Sequence, residues 1–199
     1  METRLSISNR ALSLCGANSL TDFDKDETPN ARLVRQQFDS TLKQALSVHE
    51  WGFCSAYISP ALVSDNDNIK DSTGGQWTNA FQQPTNLLQI RKVYNENELT
   101  DYDIGVHNDR KVIFANVKVV ALLYTIDITD VDKLPQYFTQ YLEYALALVF
   151  YLNIKGNDRY YSGFVNQVNQ ILQNAIRTDN KQSRKTIESD NTIWINARG

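Results

Sequence analysis

The sequence contains two cysteines and two histidines, the usual side chains of thiol nucleophiles and zinc sites: Cys15, Cys54, His49 and His107. A thiol nucleophile needs a histidine beside it in space, and a zinc site needs ligands at short spacings such as C-x-x-C or H-x-x-x-H. Neither spacing occurs in this chain. We therefore expect both cysteines to be buried, reduced packing residues, His49 to lie in the apolar stripe of a helix, and His107 to lie in a turn.

This pattern predicts a protein without catalytic residues, cofactor or metal site. A small enzyme that uses His49 or Cys54 remains an alternative if the fold places them side by side.

The acidic segment 22–27 (DFDKDE) is the remaining candidate for cation binding. It lacks the glycine at position six and the glutamate at position twelve of an EF-hand loop. Lys25 also lowers the negative charge of the segment. We interpret it as a solvated loop rather than a calcium site.

A basic segment, 177–185, could contact nucleic-acid phosphates. Its basic residues are Arg177, Lys181, Arg184 and Lys185, and Asp179 is its only acidic residue, so its net charge is 4 − 1 = +3. A solvated helix C-terminus explains the same residues, because cations stabilise the negative end of the helix dipole. The whole chain has a net charge of −3, which argues against a dedicated nucleic-acid binder.

The composition also bears on location. The N-terminus lacks the apolar core and cleavage site of a signal peptide. No stretch of about 18 uncharged apolar residues is long enough to span a bilayer. We expect a soluble protein that starts in a cytoplasm and has no membrane partner.

Four segments have the periodicity of amphipathic helices. Gly16 is placed to end the first, and Thr28-Pro29 gives the second an N-cap followed by proline at its first position. Thr129 or Asp130 can cap the third, which Gly156 ends. The predicted helical ranges are 4–15, 29–51, 129–156 and 158–181.

The middle of the chain has the alternation of β-strands. The run 77–94 alternates on both sides of Pro84, and segments 103–106 and 111–115 flank a four-residue turn, 107–110. Segment 117–126 has apolar residues at both odd and even positions, which is typical of a strand buried on both faces. Segment 64–75 has the composition of a loop.

Together these elements predict an α+β fold that is mainly α. We expect an antiparallel helical bundle formed by residues 1–63 and 127–181, with a small antiparallel β insertion at 76–126 between helices two and three. Residues 1–181 would form a single domain, followed by an extended C-terminal arm, 182–199.

The arm differs in composition from the rest of the chain because it has no helical stripe but carries Ile193, Trp194 and Ile195 near its end. A frayed terminus seldom carries such residues. We favour an arm that docks on another subunit or protein; the alternative is a tail folded onto its own core. The ten tyrosines suit partly hydrated contact surfaces, although ordinary core and rim positions explain them equally.

The order of four motifs makes the chain resemble a known family. They are SLCGA at the end of the first helix, TPNARLVRQQFDSTLKQALSVHEWGF, WTNAFQQPTNLLQIRKV, and LPQYFTQYLEYALALVFYLNI. This order resembles the head–tail adaptor proteins of tailed bacteriophages and gene transfer agents, a family that includes the tail tubular protein A of podoviruses. The resemblance covers roughly residues 4–180. The matching residues are Ala31, Arg32, Trp51, Phe81, Pro84, Leu87, Leu88, Ile90, Leu134 and Pro135.

The resemblance implies a structural function without catalysis. Such adaptors form a ring of twelve subunits between the portal protein and a downstream tail protein (nozzle or tail hub), and DNA passes through the lumen as cargo. The protein would then be located in the virion at the head–tail interface, and in the host cytoplasm during assembly. The alternative function is a small nucleic-acid-binding helical protein that uses segment 177–185.

Two groups of site residues follow from this resemblance. By analogy with the family's C-terminal arm, the portal-contact candidates are Arg184, Lys185, Ile187, Ile193, Trp194 and Ile195. The candidates for a subunit or tail interface are Trp77, Phe81, Tyr94 and Tyr102, which are aromatic residues of the β segment. The alternative for Trp77 and Phe81 is that both pack inside their own subunit.

Overall fold

The computed structural model describes residues 2–64, 69–71 and 74–183. Within these ranges the chain has four α-helices and ten strands in three antiparallel sheets, and it is 45% helical and 25% strand. The helices are α1 (Arg4–Leu14), α2 (Pro29–Ser47), α3 (Gln136–Lys155) and α4 (Tyr161–Ser183). The strands are β1 (Ser55–Ile58), β2 (Leu62–Ser64), β3 (Ile69–Lys70), β4 (Gln76–Trp77), β5 (Asn79–Gln82), β6 (Leu87–Asn95), β7 (Glu98–Leu99), β8 (Tyr102–His107), β9 (Arg110–Ala115) and β10 (Ala121–Ile126).

The predicted fold class, a helical bundle with a small β insertion, is therefore wrong. The β part is a second layer of the molecule with its own apolar core, and it recruits residues 55–63, which the prediction gave to the bundle. Ser55 of β1 pairs with Thr125 of β10, and Leu62 of β2 pairs with Phe81 of β5. Strands this short carry too few residues for a clear alternation, so only their distant partners define them as strands.

The helical ends follow local capping chemistry. Thr3 and Ser6 form a capping box at the start of α1, and the Thr28 side chain accepts a hydrogen bond from the Ala31 N–H at the start of α2. The third helix begins at Gln136, after Pro135. Of its two predicted caps, Thr129 and Asp130, the second instead caps the 3₁₀ turn Val131–Lys133 that precedes the helix.

The second helix ends at Ser47, four residues before the predicted end at Trp51, because Trp51 packs back onto it. The Trp51 indole N–H donates to the Ala45 carbonyl (2.9 Å), and the side chain is completely buried.

The helices share one apolar core centred on aromatic rings. Trp51 meets Phe138 edge-on, with ring centroids 5.2 Å apart, and Phe53 meets Phe138 at 4.9 Å. The α1 helix joins this core through Ile7 and Leu12, which are both fully buried. An ion pair between Arg10 and Glu143 (2.5 Å) links α1 to α3 at its margin.

The strands form a sandwich. The inner sheet has the order β1-β10-β6-β7, and the outer sheet has the order β2-β5-β9-β8. Side chains from both sheets fill the space between them, including Phe81, Ile113, Leu122 and Val93. The β3–β4 hairpin covers part of the other face of the outer sheet, where Ile69 packs with Phe114. The segment predicted as loop 64–75 thus contributes β3.

Two tight turns connect neighbouring strands. The predicted hairpin is confirmed, but its turn contains only Asn108 and Asp109, whose φ angles are +50° and +61°. Asn and Asp tolerate this left-handed conformation, and two such residues in succession are typical of a type I′ turn. Glu96 and Asn97 make a similar turn between β6 and β7.

In the described ranges, no helix is both long and apolar enough to cross a membrane.

Candidate assembly surfaces

The two cysteines are placed as packing residues. Both are buried in the helical core, and the Cys15 thiol donates to the Ala147 carbonyl (3.0 Å). Burial raises the pKa of Cys15 to about 11 and that of Cys54 to about 12. A nucleophilic cysteine requires the opposite shift, so the environment of each thiol opposes nucleophilic chemistry.

A buried carboxylate, Asp179, connects three elements of the helical layer. Asp179 lies on α4 and is 1% exposed. Its oxygens accept the Gly52 N–H (3.0 Å) and the Tyr137 hydroxyl (2.7 Å), and His49 Nε2 lies 3.7 Å away. His49 was predicted to lie in the apolar stripe of the second helix, and this is wrong. It follows the end of α2, and its ring packs edge-on against Trp51, with ring centroids 4.9 Å apart.

Arg91 of β6 joins the helical layer to the inner sheet. Its guanidinium donates to the His49 carbonyl (2.7 Å) and to the Thr125 hydroxyl (2.7 Å). The Leu46 and Ser47 carbonyls lie 3.4 Å from the same guanidinium. A cation at this helix C-terminus satisfies carbonyls that have no partner within the helix. Both polar groups, Arg91 and Asp179, therefore have a positioning role that their hydrogen bonds explain.

The acidic loop 22–27 binds its own backbone. Asp22 accepts the N–H groups of Asp24 and Lys25, which lowers the pKa of that carboxyl. Arg35 closes the loop by donating to the Phe23 and Asp26 carbonyls (2.9 and 2.8 Å). In residues 2–64, 69–71 and 74–183, no group of three or more His, Cys, Asp or Glu side chains is arranged to hold a metal ion.

The sandwich core is open at both sides. One row of cross-strand neighbours runs through the outer sheet in the order Leu62, Phe81, Ile113, Ile104. The two central residues are 2% and 0% exposed, whereas Leu62 and Ile104 at the ends are 47% and 46% exposed. Neighbours in such a row share one face of the sheet. Both end residues therefore belong to the face that forms the core, and each lies at an edge that no other strand of the described residues covers.

The open end at β8 is a stripe of three apolar side chains. Tyr102, Ile104 and Val106 are all exposed and alternate along the strand, so they share one face. On the opposite face Gly105 leaves room for the Phe114 ring: a Cβ at Gly105 would lie 2.8 Å from Phe114 Cε2. The β8 strand is therefore covered on one face and apolar but uncovered on the other.

The backbone edge of β8 is also unpaired. Among the described strands, β8 pairs only with β9. The two-residue turn makes His107 and Arg110 a hydrogen-bonded pair, so the N–H groups of Ile104 and Val106 point away from β9. In agreement, the Ile104 N–H donates to the Asp103 carboxylate (2.8 Å) rather than to β9. An unpaired strand edge with an apolar face is a docking surface for another chain.

The two sides of the sandwich differ in charge. The β7/β8 side, residues 95–107, contains the carboxylates of Glu96, Glu98, Asp101 and Asp103 and no Lys or Arg. The β1/β2 side, residues 55–64 (SAYISPALVS), contains no charged side chain. Exposed apolar residues occur on both: Leu99 on the first side and Tyr57 on the second.

The predicted interface residues fall in different places. Phe81 is in the sandwich core, so it packs inside its own subunit. Trp77 is partly buried and donates its indole N–H to Asp71 (2.7 Å). Tyr94 packs near Tyr57 (6.4 Å), and only Tyr102 lies on the exposed β8 stripe. The predicted portal-contact residues, Arg184, Lys185, Ile187, Ile193, Trp194 and Ile195, lie outside the described residues.

Sequence reasoning did not identify Leu62, Ile104 and Val106 as surface residues. One signal was available for β8: DYDIGVH places apolar residues at alternate positions around a glycine, next to an N-D turn. That pattern indicates a strand with one apolar face, but it does not say whether another sheet covers that face.

Comparison with models of known protein families and with curated protein sequences finds no match.

Proposed function

We propose that this protein is a structural subunit that assembles with copies of itself into a ring, as a head–tail connector between a portal and a tail. The resemblance of its ordered motifs to phage adaptors suggests the particle. The surface chemistry independently favours assembly over catalysis.

The observation that carries this proposal is the uncovered apolar stripe of β8 beside an unpaired strand edge. A chain that worked alone would expose this surface to aggregation. An assembly subunit uses such a surface for its partners, and apolar strand edges are well suited to contacts between chains.

The C-terminal segment 182–199 is proposed as the arm that contacts the portal. The segment begins within the last two residues of α4 (Tyr161–Ser183), and Asp179, four residues before the end of this helix, accepts hydrogen bonds from Gly52 and Tyr137. An arm that starts from a rigid point reaches a partner at lower entropic cost than one that starts from a loose loop.

The test is to mix the purified full chain with the portal ring from the same genome and to determine the mass of the product. We expect a discrete complex with one copy of this chain per portal subunit. A chain shortened to residues 1–183 should bind the portal more weakly, and Trp194→Ala should reduce affinity in the same direction. If the mixture contains only free portal and free chain, the connector function is wrong.

One observation favours a second candidate function, nucleic-acid binding. Asp179 turns into the core, so Arg177 and Lys181 are exposed at the end of α4 without an acidic neighbour from that segment. A groove beside Arg177 is lined by the amides of Asn169, Gln170, Gln173 and Asn174. If this surface binds duplex DNA, affinity will fall steeply with salt. The same preparation titrated with duplex at low salt separates the two functions.

A further inference from the structure

We infer that neighbouring copies meet side to side, with the β7/β8 side of one copy against the β1/β2 side of the next. In this contact Ile104 of one copy packs on Leu62 of its neighbour, and the sandwich core continues from chain to chain. The inference rests on the proposed ring and adds which surfaces form it.

The topology puts matching edges together. Only three residues, 59–61, connect β1 to β2, so the free edges of the inner and outer sheets lie on the same side of the sandwich there. Two residues, Thr100 and Asp101, connect β7 to β8, so the other two free edges share the opposite side. A side-to-side contact therefore places an edge of each sheet against an edge of the same sheet in the next copy.

The packing supports this contact because the row of cross-strand neighbours in the outer sheet ends in an exposed apolar residue on each side of the sandwich. Leu62 and Ile104 are on the same face of the outer sheet and are about half exposed. When they meet across a contact, each covers the apolar surface of the other, and removing that surface from water favours the contact. The row then runs without a break through two subunits.

Charge favours this pairing over a two-fold contact through β8. A two-fold contact would bring two segments, each with four carboxylates and no Lys or Arg, into one interface. Like charges in an interface suppress the wrong pairing, whereas residues 55–64 carry no charge to repel the acidic side. A two-fold contact would also leave both Leu62 ends uncovered.

Because the two surfaces are different, the contact is head-to-tail. Head-to-tail contacts generate a closed ring when the rotation between copies closes, and an open filament when it does not. This symmetry agrees with the ring of the proposed function.

Cysteine cross-linking tests the contact with full-length chains. Leu62→Cys and Ile104→Cys are made as separate variants, mixed, and oxidised mildly with and without the portal ring. The native cysteines are 1% and 0% exposed, so they give little background. Within one chain the two positions are three strand spacings apart, about 14 Å, which is too far for a disulfide.

We expect a disulfide-linked dimer in the mixture of the two variants and little in either alone. Chains that carry both substitutions should give a ladder of larger products. The matched control mixes Ile104→Cys with Val119→Cys, an exposed apolar position outside the strand edges. The yield of disulfide-linked dimer from the mixture of Leu62→Cys and Ile104→Cys should exceed the yield from this control roughly tenfold or more. A defined contact raises the effective concentration of the thiols.

Three results would overturn the inference. Dimers from Ile104→Cys alone, at the yield of the mixture, would establish a two-fold contact. Cross-linking of Ile104→Cys to Trp194→Cys instead of Leu62→Cys would make the C-terminal segment the occupant of β8. Cross-linking no higher than the control in every mixture would show that the surfaces do not meet.

The portal experiment fails separately from this one. If the chain binds the portal but the Leu62–Ile104 cross-link does not form, the connector function is supported and the proposed contact is wrong. If the cross-link forms but the portal is not bound, the contact is supported and the connector function is wrong.

Discussion

The helical layer and the β-sandwich each have an apolar core, but only the helical core is closed. Trp51, at the centre of the helical core, is completely buried among aromatic rings. Beside it, Asp179 accepts the Tyr137 hydroxyl, and Arg91 donates to the His49 carbonyl. The sandwich core ends in half-exposed apolar side chains at both sides, at Leu62 and Ile104.

This difference suggests a division of roles. A closed core gains its full burial energy within one chain, so it determines whether the subunit folds. An open core gains part of its burial energy only when another chain covers it. Substitutions in the first region should therefore change stability, and substitutions at the open edges should change assembly while leaving stability nearly unaltered.

The largest effect is expected for Trp51→Ala. The substitution removes a fully buried indole and its hydrogen bond to the Ala45 carbonyl, and it leaves a cavity between α2 and α3. We expect a loss of about 3–5 kcal/mol in the free energy of unfolding, measured by urea denaturation. A loss below about 1 kcal/mol would contradict the role given to this residue.

A somewhat smaller effect is expected for Asp179→Ala. It removes the acceptor of the Tyr137 hydroxyl and the Gly52 N–H from two partly buried hydrogen bonds, which costs about 1–3 kcal/mol in the same measurement. Asp179→Asn is the matched control: it retains one acceptor oxygen in the same volume and should cost less. Equal losses for the two variants would show that the hydrogen bonds of Asp179 contribute little.

Alkaline pH should also weaken the closed core. Burial raises the pKa of Cys15 to about 11 and of Cys54 to about 12, above the ordinary value of 9.0. Above pH 9 the unfolded chain loses these protons and the folded chain keeps them, so the free energy of unfolding falls as pH rises from 9 toward 11–12. It is unaffected by these groups below pH 9.

Each thiol contributes up to about 1.4 kcal/mol of that loss per pH unit. Urea denaturation at pH 8 and pH 10 measures it. The variant Cys15→Ala/Cys54→Ala, compared with itself at the two pH values, should show a smaller fall than the unsubstituted chain. An equal fall would assign the alkaline loss to other groups.

The sequence predicted the helices well because their information is local. Thr28-Pro29 and Gly156 mark helix ends through backbone chemistry that needs no distant partner. Trp51 shows the limit of that reasoning, since its periodicity continued the helix while its indole required the chain to turn back at Ser47.

The sandwich and its edges could not be predicted in the same way. Strands β1 and β2 are defined by pairing with residues distant in the sequence, at Thr125 and Phe81, and no local pattern encodes that register. The sequence also does not show which apolar strand residues are exposed at the surface. Phe81 and Ile104 both have the pattern of apolar strand residues, and they differ only because the inner sheet covers one and leaves the other open.

Among these substitutions, Ile104→Asp should change the stability of the subunit least and its assembly most. The side chain is already half exposed, so the free energy of unfolding should change by about 0.5 kcal/mol or less. The added carboxylate would face Leu62 of the neighbouring copy and would have to lose its water there, which is costly for an unpaired charge. Mass measurement of the chain with its portal should show loss of the assembled ring.

Val119→Asp adds the same charge to an exposed apolar position outside the edges, so it should assemble normally. If the two variants assemble equally well, the open end of the core at β8 is an exposed surface without a partner, and the contrast between the closed and open cores does not correspond to a division between folding and assembly.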